Sequence, residues 1–412
     1  MLRFALSPTG DMNIGDLRIA LFSYIVSRQR GEDFIVRIED TDKEHNIEGK
    51  DKEILEILSL FGIEYSQVIY QSQNVRFHSA MALQLLHEKK AFSCFCSQNW
   101  LDSKRAEARL AKKAYKYDDA CRNLPPQLVI DNTNPFTVRI ARPDTTSLES
   151  DSIDSFIIMN QDKTPTYDFA CAVDDMLNDI SIVIRNEDHK TNTLKQEHVR
   201  ASLNYDKKIE YTYLAPLLFD EKLSVKSLLE EGYLPEAILN YLILSGNETS
   251  QEIFTIQDAI EWFDLNKISH SPTRFDIEML RHINREHLKS LDAKELSRYV
   301  GFADEEVGEL ARIYLEDLGT TKELKSKIAP IFEARNIPQE IAKQTQLMKD
   351  VIKNAPYFDK YDDFKEYVIA KTGLHNEEYL KPMRILLTNA EDGPAISEIY
   401  RYIKNYIGEI IK

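Results

Sequence analysis

Arg3-Phe4-Ala5-Leu6-Ser7-Pro8-Thr9-Gly10-Asp11-Met12-Asn13-Ile14-Gly15-Asp16 runs directly into the apolar segment Leu17 to Val26. A short strand (Leu2 to Ala5), a loop with Pro and two Gly, and a helix beginning near Gly15 form the outline of a phosphate-binding turn. A helix start offers unpaired N–H groups and the positive end of the helix dipole. A nucleotide site is one reading of this pattern, and strand–helix packing alone is the other. Outward from the turn, Phe34-Ile35-Val36-Arg37-Ile38 alternates and is rich in β-formers, which predicts a strand ending in Glu39-Asp40-Thr41-Asp42. Acidic residues at the carboxyl end of such a strand sit where open α/β sheets bind ligands. Ile54, Leu55, Ile57, Leu58 and Phe61 then mark an amphipathic helix closed by Gly62. Strand, helix, strand, helix is the first half of a parallel, doubly wound sheet.

The chain has 412 residues, too many for one ordinary core, which predicts about two to four domains. With 43% hydrophobic and 29% charged residues it has the composition of a soluble globular protein. Four cysteines are too few for a disulfide framework and point to a reducing compartment. No run approaches the roughly 18 apolar residues of a membrane span, and the start lacks a basic segment followed by an apolar one. A cytoplasmic protein with no membrane partner is expected. The net charge of −16 argues against non-specific nucleic-acid binding over the whole surface but does not exclude a local basic track. Lys104 to Lys116 is one such track, and Lys381, Arg384, Arg401 and Lys404 form another. Solvated helix faces are the competing reading for both.

From about Tyr70 to Asp162 the pattern changes, as for an inserted domain. Here stand Cys94-Phe95-Cys96 and, later, Tyr117 and Cys121. Three thiolates and a phenolate would satisfy tetrahedral Zn²⁺; three free thiols are the alternative. The second half of the sheet is expected to resume at Pro165 to Asp175, followed by the β-rich Ile180 to Ile184. Arg185 at the end of that strand suits an anionic ligand, or else an ion pair with Glu187 or Asp188. Ala215 to Phe219 reads as a further strand. From Gly232 to Lys412 helical periodicity dominates, predicting helical modules.

The order of these segments is more informative than any one of them. Ser7-Pro8-Thr9-Gly10, Arg37-Ile38-Glu39-Asp40-Thr41-Asp42, Pro165-Thr166-Tyr167, Val183-Ile184-Arg185-Asn186-Glu187-Asp188-His189 with Asn192-Thr193, and Gly232-Tyr233-Leu234-Pro235-Glu236-Ala237 resemble, in the same order, the signatures of bacterial glutamyl-tRNA synthetases. The resemblance extends to Lys381-Pro382-Met383-Arg384 and Gly393-Pro394. It implies an α/β Rossmann-type catalytic domain (residues 1–69 and 163–222) with an inserted α/β acceptor-binding domain (70–162). All-α stem-contact (223–300) and anticodon-binding (301–412) domains would follow. A tRNA-modifying relative without an anticodon domain is set aside because residues 300–412 are present. The implied partners are tRNA, L-glutamate and ATP with Mg²⁺, and the implied state is a monomer.

By the same resemblance the glutamate pocket falls on Arg3, Ala5, Ser7, Glu39, Tyr167, Cys171 and Arg185. Arg185 would pair with the substrate's side-chain carboxylate, Glu39 would hold its α-ammonium, and Arg3 and Tyr167 would close the pocket. ATP would be held by Thr9, Gly10, Asn13, Gly15, Asp188 and Lys222. Asn13, Gly15, Lys222 and Ser224 would be the catalytic positions. The chain departs from the family in the first signature, where Asn13 stands in place of His and Asp16 puts a carboxylate near the polyphosphate path. Losing one donor to developing charge costs roughly 3–4 kcal/mol. Leu6 replaces a usual Pro. The second signature is abbreviated to Lys222-Leu223-Ser224 followed by Val225-Lys226-Ser227, and Thr145 to Ile153 is similarly short. Either residues are deleted there, or a mobile loop is missing from the sequence. The implied activity is ligation of glutamate to tRNA-Glu or tRNA-Gln. Its alternative is a synthetase-like paralogue that binds tRNA, ATP or glutamate with little catalysis.

Overall fold

The structure, a computed structural model, describes residues 1–143, 153–219, 223–247, 249 and 251–411. The short stretch at Thr145 to Ile153 and the expected ATP ligand Lys222 fall outside them, apart from Ile153. The chain divides into two compact units, residues 1–221 with 256–274, and residues 222–255 with 275–412.

The first unit is built on a five-stranded parallel sheet. Its strands are β1 (Leu2–Leu6), β2 (Phe34–Ile38), β3 (Gln67–Tyr70), β7 (Ile182–Asn186) and β8 (Glu210–Leu214), in the order β3-β2-β1-β7-β8. The order reverses between β1 and β7, the switch point at which open α/β sheets form a crevice at the strands' carboxyl ends. Helix α1 (Ile14–Arg30) follows β1 and is buried over most of its circumference, which is why its sequence shows little amphipathic contrast. It stops at Gly31, whose φ of 64° puts the N–H onto the carbonyls of Ser27 and Arg28. Helix α2 (Lys50–Leu60) joins β2 to β3.

Between β3 and β7 the chain forms α3 (Val75–His87), β4 (Ala91–Cys94), α4 (Gln98–Leu110), α5 (Pro126–Asp131), β5 (Thr137–Ile140), β6 (Phe156–Met159) and α6 (Tyr167–Leu177). The order β4-β5-β6 is an antiparallel sheet. Alternation along β4 gives its two faces different work. Ala91 joins an apolar core with Val138, Ile158, Phe169 and Val173 that ties this small sheet to α6 and to α7 (Lys190–Ser202). Phe92 and Cys94 face a second core with Leu101, Tyr117 and Cys121.

Two strand expectations are corrected. Pro165 to Asp175 does not resume the sheet, because residues from Tyr167 onward form α6. Every residue from Asp168 to Asp175 is buried, so neither a helical nor a strand period is visible in the sequence. Ala215 to Phe219 contributes only β9 (Leu217–Leu218), paired with β10 (Thr273–Arg274) and not with the main sheet. β8 is the strand that completes that sheet. The segment 256–274 returns to the first unit, where Gln29 Nε2 donates to the carbonyls of Ile260 and Phe263 at 2.8 and 2.7 Å. The second unit is helical among its described residues. No helix among the described residues is long and apolar enough to cross a membrane.

Candidate active site

The sheet's switch point brings three guanidinium groups together with two carboxylates. Arg3 on β1 and Arg37 on β2 both reach Asp175 on α6; Arg3 Nε lies 3.2 Å from Asp175 Oδ1, and Arg37 Nη1 donates to the same oxygen. Arg37 Nη2 also donates to Glu39 Oε1 at 2.9 Å. Burial would raise the Asp175 pKa, but Arg3 and Arg37 outweigh it and hold the carboxyl well below the usual range. Cys171, one helical turn before Asp175, donates its thiol to Glu39 Oε1 at 3.1 Å. Burial and the Glu39 charge push that thiol far up, so it remains a neutral donor. Tyr167 begins α6 and is raised by Cys171, Glu39 and burial, which keeps its phenol protonated. Ala5 pairs with Arg37 across the β1–β2 ladder, and Ser7 is the first residue after β1.

Arg185 differs from the other two cations. It is buried at the end of β7, yet among the described residues it forms no ion pair. The expected alternative, a bond to Glu187 or Asp188, is absent: Glu187 pairs with Lys190 at 2.9 Å and Asp188 with His189 at 3.8 Å. Its guanidinium is held by neutral oxygens, with Nη2 3.0 Å from Gln196 Oε1 and Nη1 3.4 Å from Thr193 Oγ1. Its Cζ lies over the Tyr211 ring, 5.2 Å from the ring centroid. A desolvated cation without a counter-charge is costly unless a ligand supplies one.

At the start of α1 the structure forms a cavity of about 270 Å³ lined by Asn13, Gly15, Arg18, Asn186, Glu187, Asp188, Pro216, Leu217 and Phe219. Asn13 is the N-cap: its Oδ1 accepts from the Asp16 N–H at 3.0 Å, and Asp16 Oδ2 accepts from the Asn13 N–H at 3.2 Å. The amide Nδ2 of Asn13 is not used by this cap. Asp16 is thus folded back onto the helix start and is not among the cavity's lining residues. Burial raises its pKa to about 6 against the pull of the Asn13 N–H and His189. A Cβ at Gly15 would sit 3.0 Å from Asn13 Oδ1 and 3.6 Å from the Phe219 ring, so a side chain there would press on the cap. Thr9 and Gly10 lie in the bend before the helix, Thr9 exposed and Gly10 half-buried. Ser224 belongs to the second unit, where its Oγ caps the helix Val225–Glu230 by accepting from the Ser227 N–H at 3.0 Å.

The inserted sheet holds a third cluster. The sulfurs of Cys94, Cys96 and Cys121 lie within 4.8 Å of one another. The Tyr117 hydroxyl is 3.4 Å from Cys94 Sγ and 3.3 Å from Cys96 Sγ. Burial opposes ionisation of Cys94, but bonds from Tyr117, the backbone and Arg139 bring its pKa down to about 7; Cys96 is pushed up to about 12, chiefly by burial. Arg139 Nε points at Cys94 Sγ from 3.3 Å, and its guanidinium covers the Tyr117 ring at 4.1 Å.

Arg37, Asp175, Gln196 and Tyr211 are site residues that the sequence does not single out. Arg37 and Asp175 lie inside stretches that are conspicuous for other residues, and only the fold places them side by side. Gln196 and Tyr211 are eleven and twenty-six residues beyond Arg185, with no local pattern to connect them.

The family described as tRNA synthetases class I (E and Q), catalytic domain, matches residues 1–282. This chain belongs to that family. The synthetase is 61% identical to glutamate–tRNA ligase 2 of Sulfurimonas denitrificans and 48% identical to glutamate–tRNA ligase 1 of Nitratiruptor sp., with 100% of each chain covered. Those alignments span 432 and 433 positions, more than the 412 residues present here. At some aligned positions, therefore, the relatives have a residue and this sequence has none. The crystal structure of a glutamate tRNA ligase from Elizabethkingia meningosepticum in complex with its amino acid shares the fold, with a TM-score of 0.80 at 23% identity over 99% of this chain and 97% of that one.

Proposed function

We propose that the synthetase ligates L-glutamate to tRNA, either tRNA-Glu or tRNA-Gln, through a glutamyl-adenylate. The observation that carries this reading is Arg185, a buried guanidinium that has no carboxylate partner among the described residues and matches a planar ligand carboxylate by its fork of donors. Glutamine would leave that charge unpaired, which gives selection between the two amino acids. Glu39, with Oε1 occupied by Arg37 and Cys171, holds the substrate α-ammonium through its remaining oxygen. Arg3, Ala5, Ser7, Tyr167 and Cys171 complete the pocket.

In the first step the glutamate α-carboxylate attacks the α-phosphorus of ATP and pyrophosphate leaves. In the second a ribose hydroxyl of the terminal tRNA nucleotide takes the glutamyl group and AMP leaves. Neither step needs a protein nucleophile; the chain contributes positioning and charge stabilisation. Asn13 Nδ2 and the N–H groups at the start of α1 are the donors for the phosphate oxygens, with Thr9, Gly10, Gly15 and Asp188 shaping the nucleotide corner. Lys222 and Ser224 are assigned to the second signature, and Mg²⁺ enters with ATP.

The domain reading is also proposed: catalytic residues 1–69 and 163–222, an acceptor-binding insert at 70–162, a stem-contact domain at 223–300 and an anticodon-binding domain at 301–412. A monomer acting in the cytoplasm is the expected form, in keeping with four free thiols. Three sulfurs and a phenol at tetrahedral reach fit structural Zn²⁺, with Cys94, Cys96, Cys121 and Tyr117 as ligands. Bound there, the metal would cross-link β4 to the segment around Tyr117 and Cys121. Elemental analysis of protein purified without chelator is expected to give one zinc per chain, lost in Cys121→Ala; no metal in the parent protein would remove the site.

The activity is tested by ATP–pyrophosphate exchange with glutamate and tRNA present, comparing the synthetase with Asn13→His. Exchange is expected in both, faster by about 10²-fold in the variant, because an imidazole restores a stronger donor. No exchange in the parent chain and recovery in Asn13→His would make this form a binder without efficient chemistry.

A further inference from the structure

We infer that Gln196 is the specificity-determining positioning residue of the glutamate pocket: a neutral acceptor that orients Arg185 without cancelling its charge. This rests on the reading of Arg185 as the partner of the substrate's side-chain carboxylate.

The pocket orients its three guanidinium groups in two ways. Arg3 and Arg37 are fixed by Asp175 and Glu39, so their charges are already matched within the protein. Arg185 is fixed by an amide oxygen and a hydroxyl, from Gln196 and Thr193 on successive turns of α7. Thr193 Oγ1 also accepts from the Tyr213 hydroxyl at 2.8 Å, which makes Gln196 the shorter and better contact to Arg185.

Gln196 is completely buried. A guanidinium only donates, so the Gln196 amide must turn its oxygen toward Arg185. Its Nε2 is then left inside the protein with no partner among the described residues. A glutamate at this position would avoid the orphaned donor and bind Arg185 by a charge-assisted contact. It would also neutralise Arg185, the pocket cation left without a counter-charge among the described residues. Gln196 therefore keeps the pocket positive at the cost of an unsatisfied amide, and a substrate is chosen by whether it brings the missing negative charge.

The test uses the full chain with Gln196→Glu, Gln196→Met and Arg185→Gln, in tRNA-dependent pyrophosphate exchange with glutamate or glutamine. Gln196→Glu is expected to raise the glutamate KM at least about tenfold and to lower the glutamate-over-glutamine ratio of kcat/KM by about 10- to 100-fold, with the ATP KM within about twofold. Gln196→Met, which removes the contact but not the charge, is expected to keep that ratio within about threefold. Equal ratios in the Met and Glu variants, or an unchanged glutamate KM in Gln196→Glu, overturns the role of Gln196. Arg185→Gln separates the two levels. If it leaves the ratio unchanged, the carboxylate reading of Arg185 fails and this inference falls with it. If it collapses the ratio while Gln196→Glu does not, only Gln196 is rejected. Should Gln196→Glu not fold by thermal melting, Gln196→Asp carries the same charge in less volume and the same outcomes apply.

Discussion

Asn13 serves two masters at the start of α1. As the N-cap it holds the Asp16 N–H, a contact whose loss typically costs about 1 kcal/mol, and its remaining amide hydrogens face the task of phosphate donation. Histidine is a poor cap, so Asn13→His trades helix stability for a stronger donor. Asp16 completes the reciprocal cap from a position that burial makes uncomfortable for a carboxylate. Its pKa is raised from the ordinary 3.8 to about 6, which means that the folded state binds this proton more tightly than the unfolded chain. The group's contribution to stability is therefore greatest below about pH 4, declines as the pH rises through about 6, and is level above that. Asp16→Asn keeps an oxygen for the Asn13 N–H and removes the titration. Thermal melts from pH 4 to 7.5 are expected to show the stability of the parent chain falling relative to Asp16→Asn across that window. Parallel pH profiles would show that Asp16 ionises freely in the fold.

At the scale of elements, α6 carries the pocket and is itself held by a buried polar cluster. Asp174 takes Gln71 Nε2, Asn74 Nδ2 and His78 Nε2, each at 2.9 Å, while its neighbours Cys171 and Asp175 face Glu39 and the two arginines. His78 and Asp174 are fully buried, so removing the carboxylate strands three donors. Asp174→Ala is expected to cost about 3–5 kcal/mol in urea unfolding, and Asp174→Asn less, with a raised glutamate KM in both. A loss under about 1 kcal/mol in the Ala variant would show that the cluster relaxes freely. The same helix explains what was legible from sequence. β1, β2 and α1 are short-range features, with alternation, a Gly-bearing turn and an apolar run. α6 is preceded by Thr166, carries Tyr167, Phe169 and Val173, and is buried at every residue from Asp168 to Asp175, so local preference points to strand and only tertiary packing selects helix. Of the pocket's charged residues, Arg3, Glu39 and Arg185 could be picked out singly. The pairing of Arg3 and Arg37 with Asp175 could not, because Arg3 and Asp175 stand 172 positions apart in the chain.

For the whole molecule the question is how a chain with a net charge of −16 engages a polyanion. The two basic tracks turn out to be differently committed. In the C-terminal one, Lys404 pairs with Asp359, Lys381 with Glu391, and Arg384 donates to the carbonyls of Gly393 and Pro394, while the exposed Arg401 lies over the Tyr402 ring and forms no ion pair among the described residues. Near the end of α4, Lys104 and Arg105 pair within the helix, but Arg109, Lys112 and Lys113 are exposed and form no ion pair among the described residues. These three cations belong to the proposed acceptor-binding insert, where uncommitted charge is free to release counterions on meeting phosphate. Lys112→Glu with Lys113→Glu is therefore expected to raise the tRNA KM about tenfold at low salt and to leave the ATP and glutamate KM values within about twofold. The difference from the parent chain should shrink as ionic strength rises, because each lost phosphate contact removes close to one unit from the slope of log affinity against log salt. Glutamylation assays at 50 and 200 mM salt would check this. A tRNA KM that does not move, or a deficit independent of salt, would place the tRNA contacts elsewhere on the molecule.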